Sequence, residues 1–121
     1  QGVPHILANA CWGTDKPWTA KWNSQAIPFT NRDSQWADKF HVWRMDWDEQ
    51  SIRLYLDDEL LNEISQAEAV NGKLGNGEQP FKKPQYLLLN LALGGDNGGE
   101  IDDSALPMKY FIDYVRVYQK K

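Results

Sequence analysis

The stretch "SIRLYLDDELLNEIS", Ser51 to Ser65, decides how the rest of the chain is read. Ile52, Leu54 and Leu56 alternate with Arg53, Tyr55 and Asp57, the period-two signature of a half-buried strand. A tight turn at Asp57-Asp58 leads into a second strand, "ELLNEIS" (59–65). Upstream, "KFHVWRMDW" (39–47) is an aromatic-rich strand, and "DEQS" (48–51) is the hairpin loop that joins it to the first. Near the start, "HILANACW" (5–12) is a short apolar segment, and further on "QYLLLNLALGG" (85–95) and "KYFIDYVRVYQ" (109–119) are two more strands of the same kind. Between them, "QAEAVNGKLGNGEQPFKKP" (66–84) starts with a helical turn and becomes a Gly/Asn/Pro loop. Such strands at hairpin spacing, without a sustained helical period or an internal repeat, predict an all-β antiparallel β-sandwich, with residues 1–121 in one domain.

Composition narrows the function classes. The 121 residues carry a net charge of −4, which speaks against a nucleic-acid partner. The longest apolar run, Tyr86 to Leu89, is far short of the ~20 residues a membrane helix needs, so no membrane partner is expected. The chain opens "QGVPHILANA", with neither a basic start nor Met, and reads as a processed, cut or fragmentary polypeptide without a visible signal peptide. Cys11 is the only cysteine, so no internal disulfide forms, and its apolar neighbours suggest a small buried side chain rather than a nucleophile. Two histidines, His5 and His41, are too few for a His-rich metal site. Six tryptophans between Trp12 and Trp47 are the anomaly. Core packing accounts for some of them, and flat aromatic faces are also what sugar rings stack on.

Two strands carry side chains that need explaining. Along 86–93, Leu87, Leu89, Leu91 and Leu93 form one core face, while Tyr86, Leu88, Asn90 and Ala92 form the other. An asparagine in mid-strand beside a small alanine suggests a wet groove with room for a ligand. On the last strand, Asp113 shares a face with Phe111, Val115 and Val117. A carboxylate there needs hydrogen bonds, a cation such as Arg116, or a bound Ca²⁺. A third acidic feature, Glu100-Ile101-Asp102-Asp103 within "GGDNGGEIDDSALP", looks like the start of a catalytic carboxylate motif.

Taken in order and spacing, "FHVWRMDWDEQSIRLYLDDELL", "QYLLLNLALGG" and "YFIDYVRVYQ" resemble the C-terminal half of a glycoside hydrolase family 16 domain, from about Ala8 to Gln119. The resemblance implies a concanavalin-like jelly roll with a cleft across its concave sheet. It also implies a polysaccharide or oligosaccharide substrate with β linkages, a β-glucan or a marine galactan, cleaved by a retaining mechanism. That chemistry uses an E-x-D-x-E or E-x-D-x-x-E strand, whose carboxylates share one face at the short separation that retention requires. From Glu100 the sequence continues Glu-Ile-Asp-Asp-Ser-Ala, with no second Glu at either position. The stretch follows the Asn-Leu-Ala strand, precedes a proline and reads as a closing loop.

The resemblance therefore implies catalytic residues upstream of Gln1 and none on this chain. It places Asn90 and Ala92 in the cleft and Trp43 where an aromatic contacts sugar. Alternation itself puts His41, Trp43, Met45 and Trp47 on one strand face, and Trp12 is a further candidate stacking ring, with core packing the alternative for each tryptophan. Asp113 falls at the position of a structural Ca²⁺ ligand in some members. Half a jelly roll leaves inner apolar faces and open edges, so either the N-terminal half of the domain or a second copy is expected as partner. A secreted or periplasmic location is also implied. The other reading is a non-catalytic, carbohydrate-binding or lectin-like sandwich, which accounts equally for the tryptophans and the missing carboxylates.

Overall fold

Backbone N–H and C=O groups in alternating segments find partners across antiparallel ladders. A computed structural model describes residues 3–33 and 35–121. His5–Gly13 (β1) pairs with Ala20–Pro28 (β2), with Cys11 opposite Trp22. Trp43–Trp47 (β3), Ser51–Leu56 (β4) and Glu59–Ser65 (β5) form a second antiparallel sheet in the order β3-β4-β5. The class is all-β and antiparallel, as the alternation predicts.

Turn chemistry sets the registers. Between β3 and β4, Asp48 Oδ1 accepts hydrogen bonds from the N–H groups of Gln50 and Ser51, each at 2.8 Å. These two donors hold its carboxyl below the usual range. Between β4 and β5, Asp57 and Asp58 have φ of 47° and 65°, the left-handed pair that a two-residue hairpin requires. Register then slips by one residue, since Leu54 faces Asn62 but Tyr55 faces Leu60. Leu61 is the extra residue of a β-bulge.

Described residues up to Gln85 make one unit, in which the two sheets meet over a small core. Ile6, Ala8 and Trp12 point inward from β1 on alternate positions. Trp12 packs with Ile52 of β4, Ile64 of β5 and Ala69 of the following loop, and Leu56 of β4 is buried as well. Burying a side chain such as Ile64, which is 1% exposed, contributes about 1.5–3 kcal/mol. Asn62, 7% exposed, donates to the Ala8 carbonyl at 2.8 Å and to Asn23 Oδ1 at 3.0 Å, so a polar bridge joins the sheets. The loop after β5 folds back on the end of β1. Gly13 N–H donates to Asn71 Oδ1 at 2.8 Å, and Gly72 N–H donates to the Gly13 carbonyl at 2.9 Å. Phe81 on that loop meets the Trp12 ring edge-to-face at 6.4 Å.

Several expectations are corrected. β2 was not expected, because "AKWNSQAIP" buries almost nothing and so carries no apolar alternation. It is a strand because β1 supplies its ladder. The strand expected over 39–47 is limited to Trp43–Trp47. Cys11 is exposed, since inward Ile6, Ala8 and Trp12 leave odd positions of β1 facing out.

The second unit, Tyr86–Lys121, differs more. It holds one helical turn, Gly95–Gly98, and one 3-10 turn, Asp103–Ala105. The strands expected over 85–95 and 109–119 are absent among its described residues. Leu87, Leu89, Leu91 and Leu93 are 45–63% exposed, and Phe111, Val115 and Val117 are exposed too. Alternation gives a segment two faces, but a strand also needs a neighbour for its backbone and a layer for its apolar face.

Candidate functional site

The register of the β3-β4 hairpin determines what gathers at its open end. Trp43 faces Leu56, so one step further along the ladder Val42 lies opposite Asp57. The Asp57 N–H donates to the Val42 carbonyl at 2.9 Å, and the Val42 N–H donates to Asp57 Oδ1 at 2.9 Å. The other oxygen of Asp57 lies 2.6 Å from His41 Nδ1. The second ring nitrogen of His41 is 2.7 Å from the Trp36 carbonyl oxygen.

These bonds shift both titrations. Burial opposes charging of His41, but its hydrogen bonds with Asp57 and the Trp36 carbonyl outweigh that and raise its pKa. His41 and the Val42 N–H hold the Asp57 carboxyl below its usual range. The His41 ring also stacks on Trp36, with centroids 3.7 Å apart and planes 16° apart. Around Trp36, Phe29 and Trp43 stand edge-on at 5.0 and 6.4 Å, and the Arg32 guanidinium is 5.9 Å from the ring. Arg32 reaches Glu59 at 3.5 Å. Arg32, Trp36, Leu56, Asp57 and Glu59 line part of a cleft of about 380 Å³.

β3 presents two different faces. Arg44 lies 4.0 Å over the Tyr55 ring and pairs with Asp46 and Asp58, while Arg53 pairs with Glu63 at 3.1 Å. That face is solvated and ionic. Trp43, Met45 and Trp47 lie opposite Leu56, Leu54 and Ile52, so they extend the core-side face of the sheet. They are 43–57% exposed.

The residues expected to bind substrate are placed unequally. Trp12 is 6% exposed with Phe81 at its edge, so it is a core ring and the stacking expectation is corrected. His41 is largely covered and uses both ring nitrogens within the chain. Trp43 is open to solvent. Asn90 and Ala92 are exposed residues of the second unit, on a segment without regular structure. Glu100 and Asp103 are exposed, and Asp102 caps a turn by accepting from Ser104 N–H at 2.9 Å and Oγ at 2.6 Å. Asp113 is exposed as well. Calcium takes about 6–8 oxygen ligands. Among the described residues no group of three or more His, Cys, Asp or Glu side chains could hold a metal ion.

Sequence reasoning missed Trp36, Arg32 and Asp57. For Asp57 the signal existed: counting residue by residue from the Asp48–Ser51 turn pairs it with Val42, beside His41. Trp36 and Arg32 come from an irregular connection, where no such count applies.

The family described as glycosyl hydrolases family 16 matches residues 18–116. A Rhodothermus marinus protein named Beta-glucanase is 34% identical over 82 residues, covering 66% of this chain and 29% of the relative. A Niallia circulans protein named Glucan endo-1,3-beta-glucosidase A1 is 33% identical over 88 residues, covering 70% of this chain and 13% of the relative. A Penaeus monodon protein named Beta-1,3-glucan-binding protein is 30% identical over 109 residues, covering 76% of this chain and 30% of the relative. The chain thus spans less than a third of the length of each of these relatives. No solved structure matches it. No helix among the described residues is long and apolar enough to cross a membrane.

Proposed function

The chain belongs to glycosyl hydrolases family 16, and on that premise we propose that it forms part of a glycoside hydrolase acting on β-linked glucans. The observation that carries the reading is the family match over residues 18–116, supported by relatives named for β-glucan cleavage. Residues 1–121 contain no E-x-D-x-E or E-x-D-x-x-E run. In this reading the nucleophile and the acid/base are therefore supplied by another segment, at the ~5–5.5 Å separation of a retaining pair. This chain supplies binding surface. Trp43 offers a flat exposed ring, Asn90 an amide for sugar hydroxyls, and Ala92 the space beside it.

The uncovered core-side face at Met45 and Trp47 supports a polypeptide partner, either further strands of the same protein or a second copy. A polymeric substrate also favours a secreted or periplasmic enzyme. A structural Ca²⁺ at Asp113 would require ligands from that partner segment.

The test joins affinity electrophoresis on laminarin, lichenan and agarose to a reducing-sugar assay, with native mass spectrometry of the same sample. Retention on a β-glucan without release of reducing ends by residues 1–121 is expected. Hydrolysis by this chain alone, or retention on none of the polymers, overturns the reading. A second reading, a non-catalytic glucan-binding domain, is favoured by the similarity to the Penaeus monodon protein. The two part when the longest polypeptide carrying this chain is assayed, because only the first expects reducing ends.

A further inference from the structure

We propose that His41 is a protonation-dependent latch, whose imidazolium ties the connection carrying Trp36 to the β4-β5 turn. Its basis is donor and acceptor arithmetic. Nδ1 lies 2.6 Å from the Asp57 carboxylate and Nε2 lies 2.7 Å from the Trp36 carbonyl. An ionised carboxylate and a carbonyl both only accept hydrogen bonds. A neutral imidazole has one N–H and can satisfy one of them, leaving its other lone pair against an acceptor. Only the doubly protonated ring satisfies both.

Which bond survives deprotonation follows from their strengths. Asp57 is held independently of His41, through the Val42 N–H on Oδ1 at 2.9 Å, and a bond to a carboxylate is stronger than one to a neutral carbonyl. The remaining N–H stays on Asp57, and the Trp36 carbonyl is released, keeping only the Lys39 N–H at 3.3 Å. The stacked contact between His41 and Trp36 loses its tether, and with it the wall of the cleft that Trp36 forms with Arg32 and Glu59. The charged groups acting on the ring are Asp57 from the β4-β5 turn and Lys39 from its own segment, and Arg32 of the connection acts on Asp57. Asp57, in direct contact, outweighs Lys39, so burial does not keep the ring neutral.

The experiment is an NMR pH titration of the chain's two imidazoles and of the indole and backbone signals of Trp36. His41 is expected to titrate above 6.5 with both ring nitrogens protonated on the acid side, and the Trp36 signals are expected to move with the same midpoint. Asp57→Asn keeps the shape and removes the charge, and should lower that midpoint by about one pH unit or more. His41→Gln should abolish the Trp36 transition. A His41 midpoint at or below 6.5, or Trp36 signals that ignore it, overturns the latch. Should His41→Gln fail to fold, the unmodified chain and Asp57→Asn still decide. No ligand is needed, so the latch and the carbohydrate reading fail separately.

Discussion

Asn62 Nδ2 lies 2.8 Å from the Ala8 carbonyl oxygen, so one buried amide fastens the middle of β5 to the middle of β1. The same group donates to Asn23 Oδ1 at 3.0 Å and thereby reaches β2. Asn62→Ala removes both bonds and leaves the Ala8 carbonyl without that donor. A loss of about 1–3 kcal/mol is expected, read from the midpoint and slope of urea unfolding. Asn62→Asp should cost more, since a carboxylate cannot donate to a carbonyl.

Stability should depend on pH in two opposed limbs. The raised pKa of His41 contributes stability that is fully present below its unfolded value of 6.5 and is lost as pH rises through the folded value above it. The lowered pKa of Asp57 contributes stability present above its unfolded value of 3.8 and lost as pH falls through the folded value below it. Urea midpoints should peak between those two unfolded values. His41→Gln should flatten the alkaline limb and leave other carboxylates to shape the acid one.

Leucine positions in the two units should respond differently. Leu56 is 2% exposed within the core of the first unit, and Leu56→Ala should cost about 2–5 kcal/mol in a denaturation series. Leu89 is 48% exposed in the second unit, and Leu89→Ala should stay within about 0.5 kcal/mol. A large penalty at Leu89 would mean that its face is covered in solution.

Gly72 is fixed by close approach. A Cβ there would lie 2.4 Å from the backbone carbon of Thr14 and 2.5 Å from the backbone nitrogen of Asp15. Gly72→Ala must push the loop off the end of β1, loosening the support that Phe81 gives Trp12. A cost of about 1–3 kcal/mol is expected, visible as a lower melting temperature.

The two tryptophans expected to stack on sugar should separate cleanly. Trp12→Ala opens the core and should cost about 3–5 kcal/mol of stability. Trp43→Ala removes a ring that is 57% exposed, so its effect on unfolding should be small. In affinity electrophoresis on laminarin it should weaken retention about tenfold, a loss of roughly 1.4 kcal/mol. Unchanged retention would assign that ring to a polypeptide partner instead.

What the sequence determined by itself is local. The alternation of Ile52, Leu54 and Leu56, the Asp57-Asp58 turn and the run Glu59–Ser65 fix a hairpin, because side-chain period and turn chemistry need only neighbouring residues. Three spaced motifs were enough for the family as well. Tertiary structure decided everything that depends on a partner far along the chain. It made a strand of the polar segment Ala20–Pro28, since a ladder asks for backbone groups rather than side chains. It left Leu87 to Leu93 unpaired for want of a ladder, although their alternation is as regular as that of β4. It turned Trp12 inward, left Trp43 open, and closed both nitrogens of His41 onto groups supplied by two different segments. Exposure and hydrogen bonding are properties of what surrounds a residue, and only the folded chain specifies the surroundings.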